Sequence, residues 1–412
     1  MPPAAALVNP NRPDDQSGQG MLAAAGVVFV LLAALNREGR KRGLFDSRTE
    51  PDLIALAGIA ALGTVCDVAA LTGFNRALVA QGLKVMNRLD NPGIAALAEV
   101  AGAAPPFGTY HAGFVLGPRI NAGGRVGQAD LGARLLASDD AAECAAIAAS
   151  LEHFNAERRD IEQAVQEAAL QALEAHGTEA PVLVAAGEGW HPGVIGIAAG
   201  RLKNRFGKPA IVIGLDGGTG KGSGRSVSGV NLGAAIGAAA RAGIIEKGGG
   251  HAMAAGLSLR ADQVDGLRAF LIEKIGEDAR RAAASRALRI DALMSARGAD
   301  LQFVQELQKA APFGMGNPEP VFGFAAMRVR WAQELKGGHV RCTLEDASGG
   351  ATIKAIAFRA RDLGFAEALL ANDGRLLHVA GKLKEDTYKG RSSVDLRIED
   401  VALADESDAM ET

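Results

Sequence analysis

The sequence is poor in aromatic residues and in cysteine, and each shortage excludes a class of protein. Aromatic residues make up 4% of the 412 residues, so function is expected to rest on close backbone approach more than on large aromatic platforms. The three cysteines lie far apart and form no CxxC pair, which excludes a sequence-readable zinc ribbon and argues against a disulfide framework. A reducing cytoplasm is therefore the expected location.

Net charge is small as well. Lys and Arg total 44 against 47 for Asp and Glu, which leaves a formal net charge of −3. Whole-chain electrostatics therefore predicts attraction neither to nucleic acid nor to a membrane, and any site for a polyanion must be local. With 48% hydrophobic and 22% charged residues, the chain should fold rather than stay disordered. Its length predicts two or three domains.

No apolar run is long enough to cross a bilayer. The longest, Met21–Leu35, falls short of the roughly 20 residues that a spanning helix needs, and it is predicted to form a buried helix. Asp14 and Asp15 stand where an export signal would carry basic residues. Neither export nor a membrane partner is expected.

Motifs for a metal centre are also missing. The seven histidines show no HxH, HH or HxxxH spacing, and no acidic pair beside them completes a ligand set. Asp67 is a candidate metal ligand at the end of a strand, although an N-cap on the following segment is the simpler interpretation. The sequence contains neither a GxSxG elbow nor a P-loop.

Glycine, in contrast, is abundant, with 53 residues. Residues 190–197 follow a predicted strand and open a predicted helix, so His191 and nearby backbone N–H groups could meet an anion. Arg201 could add a guanidinium from the same element. A tightly packed turn between strand and helix is the alternative.

Two further glycine segments carry polar side chains. Ser223 and Arg225 stand two positions apart, hence on one side of an extended segment, where both could hold one phosphate. Six basic residues against one acid occur from Arg201 to Arg225, a local basic region whose alternative is a solvated loop. Gly248–Gly250 form a predicted loop before a small-residue helix, and His251 at the junction could contact a phosphate or be structural.

The order of predicted elements indicates α/β layering. A long helix is predicted from an N-cap at Ser138 to a stop at Gly177, on the order of 55 Å long and able to bridge two domains. Two buried strands at 181–186 and 209–213 flank a helix at 194–206. From about residue 280, alternating polar and apolar residues predict a small β barrel.

Taken in order, these motifs resemble the RecJ single-stranded-DNA exonucleases of the DHH phosphoesterase superfamily. The resemblance covers nearly the whole chain and is carried by the following segments: Val8–Asn11 with Pro13–Asp15, Gly63–Val68, Pro118–Arg125, Asn155–Arg159, His191–Gly196, Ser223–Ser226, Gly249–Gly256 and Pro312–Pro320. It implies an α/β protein with a partial DHH domain at 1–137, a connecting helix at 138–177, a DHHA1 α/β domain at 178–279, an OB-like β barrel at 280–404 and an acidic tail at 405–412.

The family's Asp-x-Asp, a further Asp and the Asp-His-His triplet have no counterpart here, and only Asp67 matches its metal ligands. The chain is therefore expected to be a RecJ truncated at its N-terminus and nearly inactive alone. In an intact relative, the resemblance implies two Mn²⁺ or Mg²⁺ ions that activate water and neutralise the scissile phosphate.

The resemblance implies 5′→3′ digestion of single-stranded DNA in DNA repair and recombination, with Asp67 and His251 as catalytic residues. Ser223 and Arg225 would bind the 5′-phosphate. The other residues expected to bind the strand are Arg119, Asn121, Arg125, His191, Arg201, Gly249 and Gly250. Possible partners are single-strand-binding protein and a RecQ-type helicase.

The barrel would bind incoming strand through phosphate and stacking candidates at Lys382, Lys384, Tyr388, Lys389 and Arg391. Tyr388 or Trp331 could stack on a base, or both could be ordinary barrel residues. Two other functions stay open: a strand-binding accessory without catalysis, and a DHH-type phosphodiesterase for short oligonucleotides or cyclic dinucleotides.

Overall fold

The computed structural model describes residues 3–285, 287–371, 373–388 and 391–404. The chain divides into two compact units. The first contains Met1–Arg88, Pro106–Gly113 and Leu288–Thr412, and the second contains Leu89–Pro105 and Phe114–Ala287. None of the described helices is both long and apolar enough to cross a lipid bilayer.

The first unit begins with three helices, α1 (Ala24–Lys41), α2 (Leu53–Cys66) and α3 (Gly73–Met86). The helix predicted at Met21–Leu35 therefore exists but starts later, and the expectation that it is buried is wrong. Only one side of α1, including Phe29, packs on the core of α2 and α3. Four large apolar side chains on α1 are exposed: Val28, Val30, Leu31 and Leu35.

The second unit opens with four helices: α4 (Pro92–Val100), α5 (Gly117–Val126), α6 (Leu131–Ala137) and α7 (Ala141–His176). A π-helical segment, His111–Leu116, precedes α5. The long helix α7 is confirmed, with 36 residues. Its N-cap is Asp140 rather than Ser138, because the Asp140 carboxylate accepts hydrogen bonds from the backbone of Ala142 and Glu143.

A five-stranded sheet follows α7. Its strands and helices are β1 (Leu183–Glu188), α8 (Pro192–Phe206), β2 (Ala210–Asp216), β3 (Thr219–Arg225), α9 (Leu232–Arg241), β4 (Lys247–His251), β5 (Ala254–Arg260) and α10 (Val264–Ala284), with a 3₁₀ turn at Ala261–Gln263. The strand order is β1-β2-β3-β5-β4, and β1 and β2 are parallel. The predicted strand–helix–strand layering is confirmed.

The helices cover the two faces of this sheet unequally. One face packs against α9 and α10. On the opposite face, α7 and α8 pack against β1 and β2. On that same face, side chains of β3, β5 and β4 are exposed or half-buried, so this part of the sheet is open.

The C-terminal part of the first unit is a β barrel, as predicted. Its elements are β6 (Ala292–Leu293), α11 (Leu301–Gln308), β7 (Phe322–Leu335), β8 (His339–Asp346), β9 (Thr352–Ala357), α12 (Ala360–Leu363), α13 (Ala366–Leu370), β10 (Leu376–Tyr388) and β11 (Arg391–Leu403). The order β7-β8-β9-β11-β10 closes through pairing of β10 with β7. Alternate side chains fill its apolar interior.

Candidate nucleic-acid interface

The open part of the five-stranded sheet presents basic and hydroxyl groups above a floor of small residues. Side chains alternate between the two faces of a strand, so Ser223 and Arg225 point to the same side of β3, as the spacing predicted. Strand register aligns three rows on this face: Arg225, Ala254 and His251; Ser223, Gly256 and Gly249; Lys221, Ser258 and Lys247. We call these rows the open face.

Ser223 and Arg225 form a pair on the open face. Arg225 donates from Nη1 to the Ser223 hydroxyl at 3.0 Å and to the Gly224 carbonyl at 2.9 Å. Burial, followed by the positive charge of Arg125, lowers the pKa of Arg225. A half-buried guanidinium beside another cation gains more from an anion than an isolated surface arginine does.

The N-terminal half of α8 lies against this pair. His191 is the N-cap of α8, with its Nδ1 accepting the Gly193 N–H at 3.1 Å. A Cβ at Gly193 would lie 2.4 Å from the Arg125 carbonyl oxygen, and a Cβ at Gly196 would lie 2.9 Å from the Ser223 hydroxyl. Both glycines therefore serve close packing, which was the alternative interpretation of this turn.

Residues of α5 reach the same region. Arg125 is exposed and donates from Nη1 to the Gly193 carbonyl at 2.9 Å. Arg119 is largely buried: it donates to the Val115 carbonyl at 2.7 Å and forms an ion pair with Glu152 on α7. Asn121 is exposed on α5. Both arginines donate to a backbone carbonyl, and among the described residues Arg119 also has a carboxylate partner.

A second ion pair network joins α7 to α8. Glu162 on α7 pairs with Arg158 at 2.8 Å and with Arg201 on α8 at 3.1 Å. Burial lowers the pKa of Arg158, Glu162 opposes this, and the charges of Arg125, Arg159 and Arg201 lower it further. Contacts with α8 and with Glu162 thus bring four arginines into one region, which we call the arginine row: Arg225, Arg125, Arg158 and Arg201.

Sequence reasoning missed Arg158 and Glu162 as a pair. Their spacing of four on a predicted helix was the available signal, because residues at i and i+4 are neighbours on a helix surface.

The segment containing Gly249 and Gly250 differs from the prediction. It is the strand β4 of a hairpin with β5, so neither the predicted loop nor the helix after it exists. A Cβ at Gly250 would lie 2.3 Å from the Ala254 carbonyl oxygen, which explains this glycine by close strand approach. Gly249 has open space above it, and His251 is exposed two strands from Arg225, about 10 Å away.

Asp67 lies in the first unit, directly after α2. It is the exposed C-cap of that helix and follows no strand, so both interpretations made from the sequence, a strand end and an N-cap, are wrong. Its backbone N–H donates to the Gly63 carbonyl at 3.0 Å. The part of the chain that the structure describes contains no group of three or more His, Cys, Asp or Glu that could hold a metal ion.

The barrel has an exposed basic and aromatic surface on adjacent strands. Register aligns Trp331 on β7 with Thr343 on β8 and, next to it, Lys354 on β9; Arg341, Ile356 and Arg397 form the neighbouring row. The Arg397 guanidinium lies 4.6 Å from the ring centre of Phe358, which is 40% exposed. We call Trp331, Arg341, Lys354, Phe358 and Arg397 the barrel face.

The barrel residues predicted from sequence are placed differently. Lys382 pairs with Glu399 at 2.9 Å and Lys384 with Glu319 at 2.6 Å. Lys389 and the side chains of Tyr388 and Arg391 lie outside the described residues. Trp331 is 46% exposed, and its neighbours on the barrel face could have been found from the alternation of polar and apolar residues along β8 and β9.

Comparison with known proteins identifies the family. A DHHA1 domain model matches residues 179–277, and a RecJ OB domain model matches residues 290–400. The chain is 35% identical, over 412 aligned residues, to the single-stranded-DNA-specific exonuclease RecJ of Dickeya dadantii; the alignment covers 97% of this chain and 70% of that relative. The chain belongs to the RecJ family.

Solved RecJ structures agree with this membership. Thermus thermophilus RecJ in complex with Mn²⁺ superposes with a TM-score of 0.74 at 29% identity, covering 92% of this chain and 53% of that one. Its complex with Mg²⁺ gives 0.75, also at 29% identity, covering 96% and 57%. The chain thus spans little more than half of the Thermus RecJ chains. The predicted fold class, α/β with a DHHA1 domain and an OB-like barrel, is confirmed.

The residues described here do not fit a two-ion centre of the kind expected in an intact relative. Asp67 is a single exposed carboxylate, and no described cluster of three ligands accompanies it. Two-ion hydrolysis requires several ligands around both ions.

Proposed function

We propose that this RecJ family member binds the 5′ end of single-stranded DNA in the course of 5′→3′ digestion during DNA repair and recombination. The observation that carries the proposal is the hydrogen-bonded Ser223–Arg225 pair, which lies half-buried on the open face beside α8. A hydroxyl and a guanidinium together match a terminal phosphate, which carries more negative charge and more free oxygens than an internal one.

The open face supports the path of the strand. Gly249 and Gly256 have no atoms within 4 Å of the position that a Cβ would take, so a sugar–phosphate backbone can approach the sheet closely. Asn121, Arg125 and His191 are exposed in the same unit, and we propose that they contact the strand with Gly249 and Gly250. The burial of Arg119 favours a role in holding α5 against α7.

We propose that the barrel face binds single strands as well. It combines Arg341, Lys354 and Arg397 with the exposed rings of Trp331 and Phe358. Cations that track phosphates and rings that stack on bases are the two components of strand binding without sequence preference. Lys382 and Lys384 are weaker candidates because each has a carboxylate partner.

The described residues contain few of the groups that hydrolysis requires. Asp67 would supply one carboxylate to the Mn²⁺ or Mg²⁺ centre of an intact relative. His251, on the open face, would contact a phosphate of the strand. Because no described ligand cluster accompanies Asp67, the 412-residue chain should release nucleotides slowly. A strand-binding accessory is the second candidate function, favoured by the same observation.

One pair of measurements tests these functions. Fluorescence titration of the chain with 5′-phosphorylated single-stranded DNA should show binding that weakens as salt increases. Mn²⁺-dependent release of nucleotides from the same DNA should be slow or absent. Brisk release would overturn the proposed inactivity and the accessory function, whereas absence of salt-dependent binding would overturn the proposed DNA-binding function.

Location and protein partners are proposed on family grounds. A cytoplasmic location, single-strand-binding protein and a RecQ-type helicase would suit an exonuclease that acts on unwound DNA. Affinity capture with the full chain as bait, with and without nuclease treatment, tests whether either protein binds directly. Loss of both after nuclease treatment would contradict direct binding.

A further inference from the structure

Helix α7 carries two glutamates that each hold two arginines. Glu152 pairs with Arg119 and Arg159, and Glu162 pairs with Arg158 and Arg201. The two carboxylates differ in their surroundings, since the Glu152 side chain is 29% exposed and the Glu162 side chain 7%. A buried carboxylate between two arginines is a costly arrangement unless each oxygen has a partner.

Both oxygens of Glu162 have such partners, on different helices. Oε2 accepts from Nη1 of Arg158, at 2.8 Å, and Oε1 accepts from Nε of Arg201, at 3.1 Å. Arg158 is fixed a second time, because its Nη2 donates to the buried Asn155 side chain at 3.1 Å. Glu162 thus joins a well-held arginine on α7 to an arginine on α8.

The contact leaves the end of Arg201 available. Glu162 engages only Nε, and among the described residues the terminal Nη1 and Nη2 of Arg201 have no partner. The Arg201 side chain is 55% exposed. Its two terminal nitrogens therefore form an outward guanidinium edge, the geometry that binds two phosphate oxygens at once.

We propose that Glu162 is a positioning residue that orients Arg201 toward an internal phosphate of the bound strand, along the arginine row from the Ser223–Arg225 pair. This inference rests on the proposed function and extends it to a second phosphate. Helix α8 is the link, because a Cβ at Gly196 would lie 3.0 Å from Nη2 of Arg225 and Arg201 stands on the same helix. Without Glu162, Arg158 and Arg201 would repel each other, and Arg201 would lose its fixed orientation.

The proposal predicts that removing Glu162 lowers the affinity for DNA, whereas net charge alone predicts that it raises the affinity. Removing a negative charge from a basic surface should tighten binding of a polyanion. If Glu162 positions Arg201, removing it should instead weaken binding, because an oriented contact is lost. Glu157 is the matched control: it is an exposed acid on α7 with no ion pair or hydrogen bond to the described residues.

The test is titration of the full chain with a 3′-fluorescein-labelled, 5′-phosphorylated oligothymidylate at several salt concentrations. Glu162→Ala should weaken binding about tenfold, the equivalent of one charge-assisted contact. The slope of log affinity against log salt should fall by about 0.7, the share of one phosphate on a single strand. Glu157→Ala should leave binding unchanged or slightly tighter.

Two further variants separate positioning from folding. Glu162→Gln keeps the side-chain shape, but its amide NH₂ faces one guanidinium, so it should also weaken binding, by a smaller factor, with a thermal unfolding midpoint near that of wild type. In an Arg201→Ala background, Glu162→Gln should cause no further loss, because the residue that it positions is gone. If Glu162 had a purely structural role, Glu162→Gln would lower the affinity for the strand by the same factor in the wild-type chain and in the Arg201→Ala variant.

The outcomes distinguish failure of the positioning role of Glu162 from failure of the proposed function. If the wild-type chain binds the strand and Glu162→Gln binds equally or more tightly, the positioning role is overturned and the proposed function stands. If the wild-type chain shows no salt-dependent binding, the proposed function itself fails.

Discussion

At the residue scale, the position of the Ser223–Arg225 pair depends on a missing side chain on the neighbouring helix. A Cβ at Gly196 would lie 2.9 Å from the Ser223 Oγ and 3.0 Å from the Arg225 Nη2. Both atoms belong to side-chain ends that can move, so an alanine would displace the pair without disrupting the core. Gly196 therefore tests the site separately from the fold.

We expect Gly196→Ala to reduce the preference for a 5′-phosphate over a 5′-hydroxyl end, with little change in thermal stability. Competition between the two oligonucleotides for the chain measures this preference. The control is Gly200→Ala on the same helix, where a Cβ meets nothing within 4 Å; it should keep the preference and stabilise the helix by about 0.5–1 kcal/mol. An unchanged preference in Gly196→Ala would contradict the assigned terminal-phosphate site.

Arg225→Ala should lower affinity for a 5′-phosphorylated strand more than for an unphosphorylated one, because a guanidinium aimed at one terminal group is directional. A hydrogen bond to a charged group contributes about 1.5–3 kcal/mol, so the preference should fall at least tenfold. Lys221→Ala, on the same face of β3, should weaken both strands equally. Equal losses in Arg225→Ala would show that Arg225 is only a general phosphate contact.

Asp395 on the barrel predicts a pH effect. Burial and the nearby Asp386 raise its pKa, although Lys354 and Arg341 oppose the shift, and its buried Oδ1 has no hydrogen-bond partner among the described residues. A pKa raised by folding means that ionisation opposes folding. The stability that this group contributes is complete below the unfolded pKa of Asp and is lost as pH rises through the folded pKa.

Asp395→Asn should therefore stabilise the protein at neutral pH, and the gain should shrink as the solution is acidified below the usual range of Asp. Urea unfolding of the variant and the wild type, at neutral pH and at a pH below the usual pKa range of Asp, measures the difference in free energy of unfolding. A gain that is independent of pH would show that the ionisation of Asp395 is not its cause.

At the scale of single elements, the sequence predicted whether a segment is a helix or a strand better than it predicted where that element begins and ends. The periodicity of α7 was sufficient because its apolar stripe is long and regular. Its start was misplaced because Ser138, Asp139 and Asp140 are all good caps, and only the backbone geometry selects among them. In the structure, Ser138 instead donates to the Glu143 carboxylate at 2.7 Å.

Asp140→Ala should destabilise α7 and with it the second unit by about 1 kcal/mol, the usual effect of losing a side-chain cap. Asp139→Ala should change the free energy of unfolding little, since the Asp139 carboxylate accepts no hydrogen bond from the described residues. Urea denaturation followed by circular dichroism compares the two. Equal effects would mean that the carboxylates act only through the helix dipole.

The glycine-rich segment before His251 shows why other elements could not be predicted. Three consecutive glycines carry no side-chain periodicity, so strand and loop look alike in sequence. The choice is made by tertiary contacts: α9 packs so closely that a Cβ at Gly233 would lie 2.5 Å from the Gly250 carbonyl oxygen. Such contacts between backbone segments distant in sequence do not alter the local pattern of polar and apolar residues.

At the scale of the whole molecule, the family and the fold class could be predicted because the motifs keep their order along the chain. The predicted domain boundaries remain predictions. The site was predicted in part: the spacing of Ser223 and Arg225 placed them on one face, and the family motifs named Arg125. Arg158 was not predicted, because it comes near Arg201 only through packing of α7 against α8. A local sequence pattern does not show which residues distant in sequence are brought together by packing.

Charge at this scale leads to the last prediction. A net charge of −3 predicts weak repulsion of DNA, whereas the arginine row predicts local attraction, and the two predictions differ in the sign of the salt effect. If a strand engages three phosphates on the row, log affinity should fall with log salt at a slope of roughly 2, which is about a 20-fold loss between about 50 and 200 mM salt. Fluorescence titration measures that slope. Affinity that rises with added salt would mean that net charge, and not the arginine row, governs the encounter with DNA.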